Sequence, residues 1–402
     1  MKIIQRGRDM MVNTLAVLGG KPAFRQPLHV GRPNVGNQND FVDRARRAMD
    51  TRRLTNDGPF VKGLEARICK MLQAKHCIAV ANATLGLQLV AGALGLAGEV
   101  IVPSFSFIAT ANALLWDGIT PVFADIDPRT HCLDPKSVQD KITDRTSGIC
   151  GVHVWGNPCA VEELQIIADA YGLKLYFDAA HAFCCAGPGK MLGNYGEAEV
   201  FSFHATKFFN TFEGGAITTN DDDLAQHLRM MRNFGFPGGG APPRCLGINA
   251  KMNEISAAMG LTNLDFLKEF MNINYVNHKL YCQLLEDIPG IMMIDYRENY
   301  AHNYQYVVME FVNEFLDADD LQAILQAENI LARRYFSPPC HETPPYSITY
   351  HLPITDMVAR RTLALPTGTA VHEDDIIKIC DIIRYVVENA EKIDAQLPRL
   401  ID

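Results

Sequence analysis

Lys207 lies in Val200-Phe201-Ser202-Phe203-His204-Ala205-Thr206-Lys207-Phe208-Phe209, a lysine set among phenylalanines. Burying its ammonium is costly, so the amine is driven toward the neutral form, a competent nucleophile for an aldehyde. The bland alternative is a lysine whose stem packs on the rings while its head reaches water. A second run, Lys174-Leu175-Tyr176-Phe177-Asp178-Ala179-Ala180-His181, is an apolar strand pattern that delivers Asp178 and then His181 at its carboxyl end, where open α/β sheets bind ligands. A carboxylate there can hold a cationic ring nitrogen while the imidazole addresses another edge of the same ligand. Equally, Asp178 can cap a helix and His181 can sit half-buried in hydrogen bonds. A third junction, Ala81-Asn82-Ala83-Thr84-Leu85-Gly86, passes from strand to helix through small and polar residues. Unpaired amides and the helix dipole favour an anion at such a junction. An ordinary N-cap by Asn82 or Thr84 accounts for the same residues. Neither GxxxxGK[ST] nor GxGxxG follows this strand, which weakens nucleotide-hydrolase and dinucleotide-binding readings.

These groups need a scaffold, and its signature runs from about residue 77 to 221. Short β-branched runs (Cys77 to Ala81, Val100 to Pro103, Pro121 to Ala124, Gly148 to Val154, Leu173 to Phe177, Val200 to Phe203, Ala216 to Thr219) alternate with helical patterns. Val161, Leu164, Ala168 and Tyr171 keep helical spacing, as do Leu224, Leu228 and Met231. The pattern predicts a mostly parallel sheet covered by helices on both faces. Gly235 to Pro243 reads as a loop ahead of a helix over about Lys251 to Phe270. From about Asn272 the chain mixes helices with strand-like runs such as Tyr304 to Met309. The expected division is a flexible extension over 1–14, a large domain over 15–271 and a small carboxyl-terminal α/β domain over 272–402.

Composition limits the partners. Among 402 residues, 48% are hydrophobic and 21% charged, which is incompatible with a disordered chain. The formal charge of −9 repels a phosphate backbone, so nucleic acid is not expected. No apolar run reaches the roughly 18 residues that a bilayer span requires, and no secretory signal is evident at the amino terminus. Eleven cysteines, an odd number without a CxxC pair, suggest reduced thiols in a cytoplasmic protein.

Taken together and in order, these elements resemble the fold-type I, aspartate-aminotransferase-like enzymes that use pyridoxal 5'-phosphate. More narrowly, they resemble the sugar aminotransferases of the DegT/DnrJ/EryC1/StrS family. The similarity extends from Leu18-Gly19-Gly20-Lys21-Pro22 through Leu54-Thr55-Asn56-Asp57-Gly58-Pro59, Val102-Pro103-Ser104-Phe105, Phe123-Ala124-Asp125-Ile126-Asp127 and Phe177-Asp178-Ala179-Ala180-His181 to Ser202-Phe203-His204-Ala205-Thr206-Lys207. The resemblance implies a large domain with a mainly parallel seven-stranded sheet and a smaller α/β domain. It places Lys207 at the Schiff-base position and Asp178 against the pyridine nitrogen. It assigns Ala83, Thr84 and Ser202 to the phosphate, Phe107 to stacking on the ring, and His181 to the neighbourhood of the phenolic oxygen. Asn249 matches an asparagine that reaches the phosphate from the neighbouring subunit, which implies a homodimer with shared sites. Two positions depart from the family: Asn82-Ala83-Thr84 stands where Ser-Gly-Thr is frequent, and Lys251 where arginine is common.

The implied activity is transfer of an amino group from glutamate to a nucleotide-linked keto sugar. Gly151-Val152-His153-Val154-Trp155-Gly156, with Phe201 to Gly215, resembles members that aminate a dTDP-linked 4-keto-6-deoxy hexose. Amination at the 3-position, GDP- or UDP-linked sugars, and a cofactor-binding regulatory protein of the same fold are the alternatives. In a dehydratase branch histidine replaces the lysine, and Lys207 sets this chain apart from it.

Overall fold

The computed structural model describes residues 15–296, 300–344, 346 and 350–397, so the extension expected over 1–14 lies outside the described residues. The strands, in chain order, are β1 (Leu28–His29), β2 (His76–Val80), β3 (Glu99–Pro103), β4 (Thr120–Ala124), β5 (Thr146–Val152), β6 (Lys174–Asp178), β7 (Ala198–Ser202), β8 (Gly215–Thr219), β9 (Ile291–Met293), β10 (Val307–Phe311), β11 (Ile330–Leu331) and β12 (Thr362–Leu365).

Seven of them form the main sheet in the order β2-β8-β7-β6-β5-β3-β4. The neighbours from β7 to β4 pair in parallel, whereas β8 runs antiparallel to both β2 and β7. The seven runs read from the sequence all appear here. Their residues are apolar on both sides because helices cover both faces: Val100 and Val102 of β3 enter one core, and Ile101 between them enters the other. The helical spacings also hold, as helices Val161–Tyr171 and Asp222–Met231.

A second, three-stranded antiparallel sheet, β12-β10-β9, carries its own core. Val307, Met309 and Phe311 of β10 pack there with Leu321, Ile324, Ile376 and Ile379. Leu15 joins the same core, and Leu28 of β1 pairs with Ile330 of β11, so the amino-terminal segment is fastened to the carboxyl-terminal sheet. The helix Leu267–Leu285 runs unbroken through residues 271 and 272, where the sequence suggested a boundary, because no glycine or proline interrupts it. β10 begins at Val307 rather than Tyr304, whose φ of 48° is left-handed and incompatible with an extended strand.

Candidate active site

The carboxyl ends of β2, β6 and β7 converge on one region, and the antiparallel β8 enters it by its first residue. Ser202, the last residue of β7, is in register with Gly215, and Gly215 with Val80 at the end of β2. The helix Ala83–Ala93 starts beside them. Its N-cap is Asn82, whose side-chain oxygen accepts from Leu85 N at 2.9 Å, so the ordinary cap exists. That bond satisfies the Leu85 amide and leaves the geometry of an anion site at Ala83 and Thr84 intact. Gly215 lets β8 pack closely against the helix start: a Cβ there would lie 2.9 Å from Ala83 N and 2.7 Å from Phe201 O.

Asp178 ends β6 and is buried. Its carboxylate accepts from Thr110 Oγ1 at 2.7 Å and from Ala180 N at 3.0 Å. Burial raises its pKa, while these two bonds and the Lys207 ammonium pull the other way. Thr110 Oγ1 also meets Ser106 Oγ at 2.7 Å, which fixes the segment carrying Phe107. The Phe107 ring is 60% exposed, an unusual position for a phenylalanine beside a buried carboxylate site.

Lys207 follows β7 in a loop pinned at the next residue, Phe208, by two bonds. Asn34 Nδ2 donates to Phe208 O at 2.9 Å, and Phe208 N donates to Gln305 Oε1 at 3.4 Å. The side chain does not snorkel outward: its Nζ points inward and donates to Tyr306 Oη at 3.2 Å. Desolvation lowers its pKa to about 8, opposed by its interactions with Tyr335 and with the Asp178 carboxylate. His181 is buried and accepts from Trp155 N at 3.2 Å through Nδ1. Burial first, and the Lys207 charge second, hold it neutral, well below its ordinary pKa. Trp155 packs nearly parallel to both His181 and Phe336, each at 5.8 Å between ring centroids.

The structure thus brings Asp178, His181 and Lys207 together, and Ala83, Thr84 and Ser202 onto one adjoining corner. Asn249 is exposed; its backbone bridges Asn233, and the next carbonyl, Ala250 O, accepts from Ala81 N at 2.8 Å. Lys251 Nζ donates to Asn233 Oδ1 at 2.8 Å and lies over the Phe234 ring. Arg334 is committed to Asp319 and to Ala359 O, whereas Arg333 is exposed beside Tyr335. Sequence reasoning missed Thr110, Trp155, Tyr306 and Tyr335. Thr110 was within reach as a hydroxyl three residues beyond Phe107, in the first turn of the helix Ala109–Trp116; the tyrosines carried no local signal.

The family model for DegT/DnrJ/EryC1/StrS aminotransferases matches residues 36–384. The chain belongs to this family. An aminotransferase from Escherichia coli, dTDP-4-amino-4,6-dideoxy-D-glucose transaminase, is 35% identical over 363 residues, covering 88% of this chain and 97% of the relative. The GDP-perosamine synthase of Caulobacter vibrioides is 34% identical over 372 residues, covering 90% and 98%. Among solved structures, DesI in the presence of its TDP-sugar product superposes with a TM-score of 0.92 at 48% identity, covering 95% of this chain and 98% of DesI. The protein is therefore an aminotransferase built on the fold of the pyridoxal-phosphate-dependent family members.

Proposed function

We propose that this aminotransferase moves an amino group from glutamate to the 4-position of a dTDP-linked 4-keto-6-deoxy hexose, using pyridoxal 5'-phosphate in a cytoplasmic homodimer. The observation that carries the reading is the inward Lys207 amine, 3.2 Å from Tyr306 Oη and electrostatically coupled to the buried Asp178. The residues present fit the cofactor. Ala83 and Thr84 open a helix whose start favours a phosphate, and Asp178 is a buried anion suited to a protonated ring nitrogen. The 4-position rests on the name of the Escherichia coli relative, and the dTDP carrier on that name and on the TDP-sugar product of DesI.

In this reading Lys207 would hold the cofactor covalently, and its free Nζ would carry a proton to and from the substrate carbon. Bound here, pyridoxal phosphate supplies the electron sink that makes that carbon acidic. Asp178 sets the charge of the ring nitrogen, and the Thr110 bond keeps the carboxylate aimed. Phe107, open on one side, offers a flat apolar face for stacking. His181, neutral, offers Nε2 as a donor because Nδ1 is occupied by Trp155 N. Ala83, Thr84 and Ser202 receive the phosphate, joined by Asn249 of the neighbouring copy. Phe234, Leu246 and Ile248 flank Asn249 as exposed apolar side chains, Leu246 by 88%, which suits burial against a second copy.

Incubation with glutamate and a panel of keto-sugar nucleotides tests the substrate. Amination of dTDP-4-keto-6-deoxyglucose at C4, above the 3-keto, GDP- and UDP-linked sugars, is the expected result; preference for any of the others overturns this substrate assignment.

A further inference from the structure

Tyr306 immediately precedes β10, and its side chain obeys that strand's alternation. Tyr306 and Val308 face the large-domain core, while Val307, Met309 and Phe311 face the small one. The ring is buried and held on three sides. It meets Trp155 edge-on at 5.6 Å and Tyr335 at 5.7 Å, and its centroid is 4.7 Å from that of His181. Its backbone is held as well, since Tyr296 Oη donates to Tyr306 O at 2.9 Å. Packing therefore fixes where the hydroxyl stands.

Two nitrogens converge on that hydroxyl: Lys207 Nζ at 3.2 Å and His181 Nε2 at 3.5 Å. The Trp155 amide donates to His181 Nδ1, so the neutral imidazole carries its proton on Nε2, facing Tyr306 Oη. Oη is then the common acceptor for both groups. We propose that Tyr306 is a further catalytic residue, whose hydroxyl oxygen holds the Lys207 amine by accepting one of its N–H groups. The hold leaves the nitrogen lone pair free for proton transfer at the substrate carbon. Burial pushes the phenol's own ionisation upward, so Tyr306 stays neutral beside the amine and does not compete for the transferred proton. The proposal rests on the aminotransferase reading given above and adds to it a residue from the carboxyl-terminal part of the chain.

Tyr306→Phe tests it, because the ring and its packing remain while the acceptor is lost. In cofactor-free protein, the pH dependence of Lys207 acetylation by acetic anhydride, read by mass spectrometry, reports the amine directly. Its midpoint is expected to fall by about one unit, since an acceptor that favours the ammonium is gone. In protein loaded with pyridoxal phosphate, the rate of the glutamate half-reaction is expected to fall by about 10–100-fold with little change in the glutamate concentration giving half-maximal rate. Unchanged midpoint and rate, in a variant that melts like the parent, would reduce Tyr306 to packing and overturn the proposal. Parent protein run in parallel separates the two ideas. If the parent is converted by glutamate and the variant matches it, only the role of Tyr306 fails; if the parent takes up no cofactor, the underlying reading fails and this one with it.

Discussion

At the scale of single residues, the ionisation of Lys207 governs the chemistry. Desolvation brings its pKa to about 8, so below that pH the amine is mostly protonated and cannot attack an aldehyde. The second-order rate of pyridoxal phosphate capture is accordingly expected to rise about tenfold per pH unit between pH 6 and 8 and then level off, as the neutral fraction does. Stopped-flow absorbance over that range checks it, and a flat profile contradicts the assigned amine. Both Lys207 and Asp178 were legible in the sequence because each stands at or just beyond the carboxyl end of an apolar strand, where a polar residue is conspicuous. Tyr306 was not: it lies 99 residues from Lys207 along the chain, and only the folding of the second sheet onto the first brings the hydroxyl to the amine. Trp155 stands in the run Gly151–Gly156, but its φ of 60°, which aims the amide at His181, is a tertiary fact.

At the scale of elements, the site depends on how closely β8 approaches the start of the helix Ala83–Ala93. All seven strands of the large sheet were readable from β-branched runs, yet the antiparallel direction of β8 was not, since apolar patterning carries no polarity. That direction matters because it delivers Gly215, the first residue of the strand, to the corner shared by Ser202 and Ala83. Gly215→Ala would place a methyl 2.7 Å from Phe201 O and 2.9 Å from Ala83 N, both backbone atoms that cannot swing aside. Loss of about 1–3 kcal/mol of stability is expected from the overpacking. Equilibrium titration should show an affinity for pyridoxal phosphate at least about tenfold weaker, the effect of roughly 1.4 kcal/mol at the phosphate corner. Thermal unfolding and titration of the same sample separate the two effects, and undiminished affinity would remove Gly215 from the cradle. β10 contributes in the complementary way, with one face closing the small core and the other presenting Tyr306 to the amine.

At the scale of the molecule, the question is whether one copy makes a complete site. The exposed Asn249 and Leu246 have no evident purpose on an isolated chain, and the sequence resemblance assigned Asn249 to the neighbour's phosphate. Mixing a Lys207→Ala chain with an Asn249→Ala chain is therefore expected to restore activity that neither has alone at limiting cofactor, because hybrid dimers contain one site with both residues intact. Absence of recovery in a mixture shown to exchange subunits contradicts shared sites. The sequence also could not show that Leu15 and β1 fasten the amino-terminal segment to the carboxyl-terminal sheet, since that contact spans almost the whole chain. The central claim remains that Lys207 holds pyridoxal phosphate and is displaced by an amino donor. The most direct test is the absorption spectrum of protein supplied with pyridoxal phosphate, before and after glutamate, beside a Lys207→Ala control. A visible band of lysine-linked cofactor that glutamate converts to a near-ultraviolet band, in the parent alone, is the predicted result; no visible band in the parent, or the same lysine-linked band in the control, would contradict it.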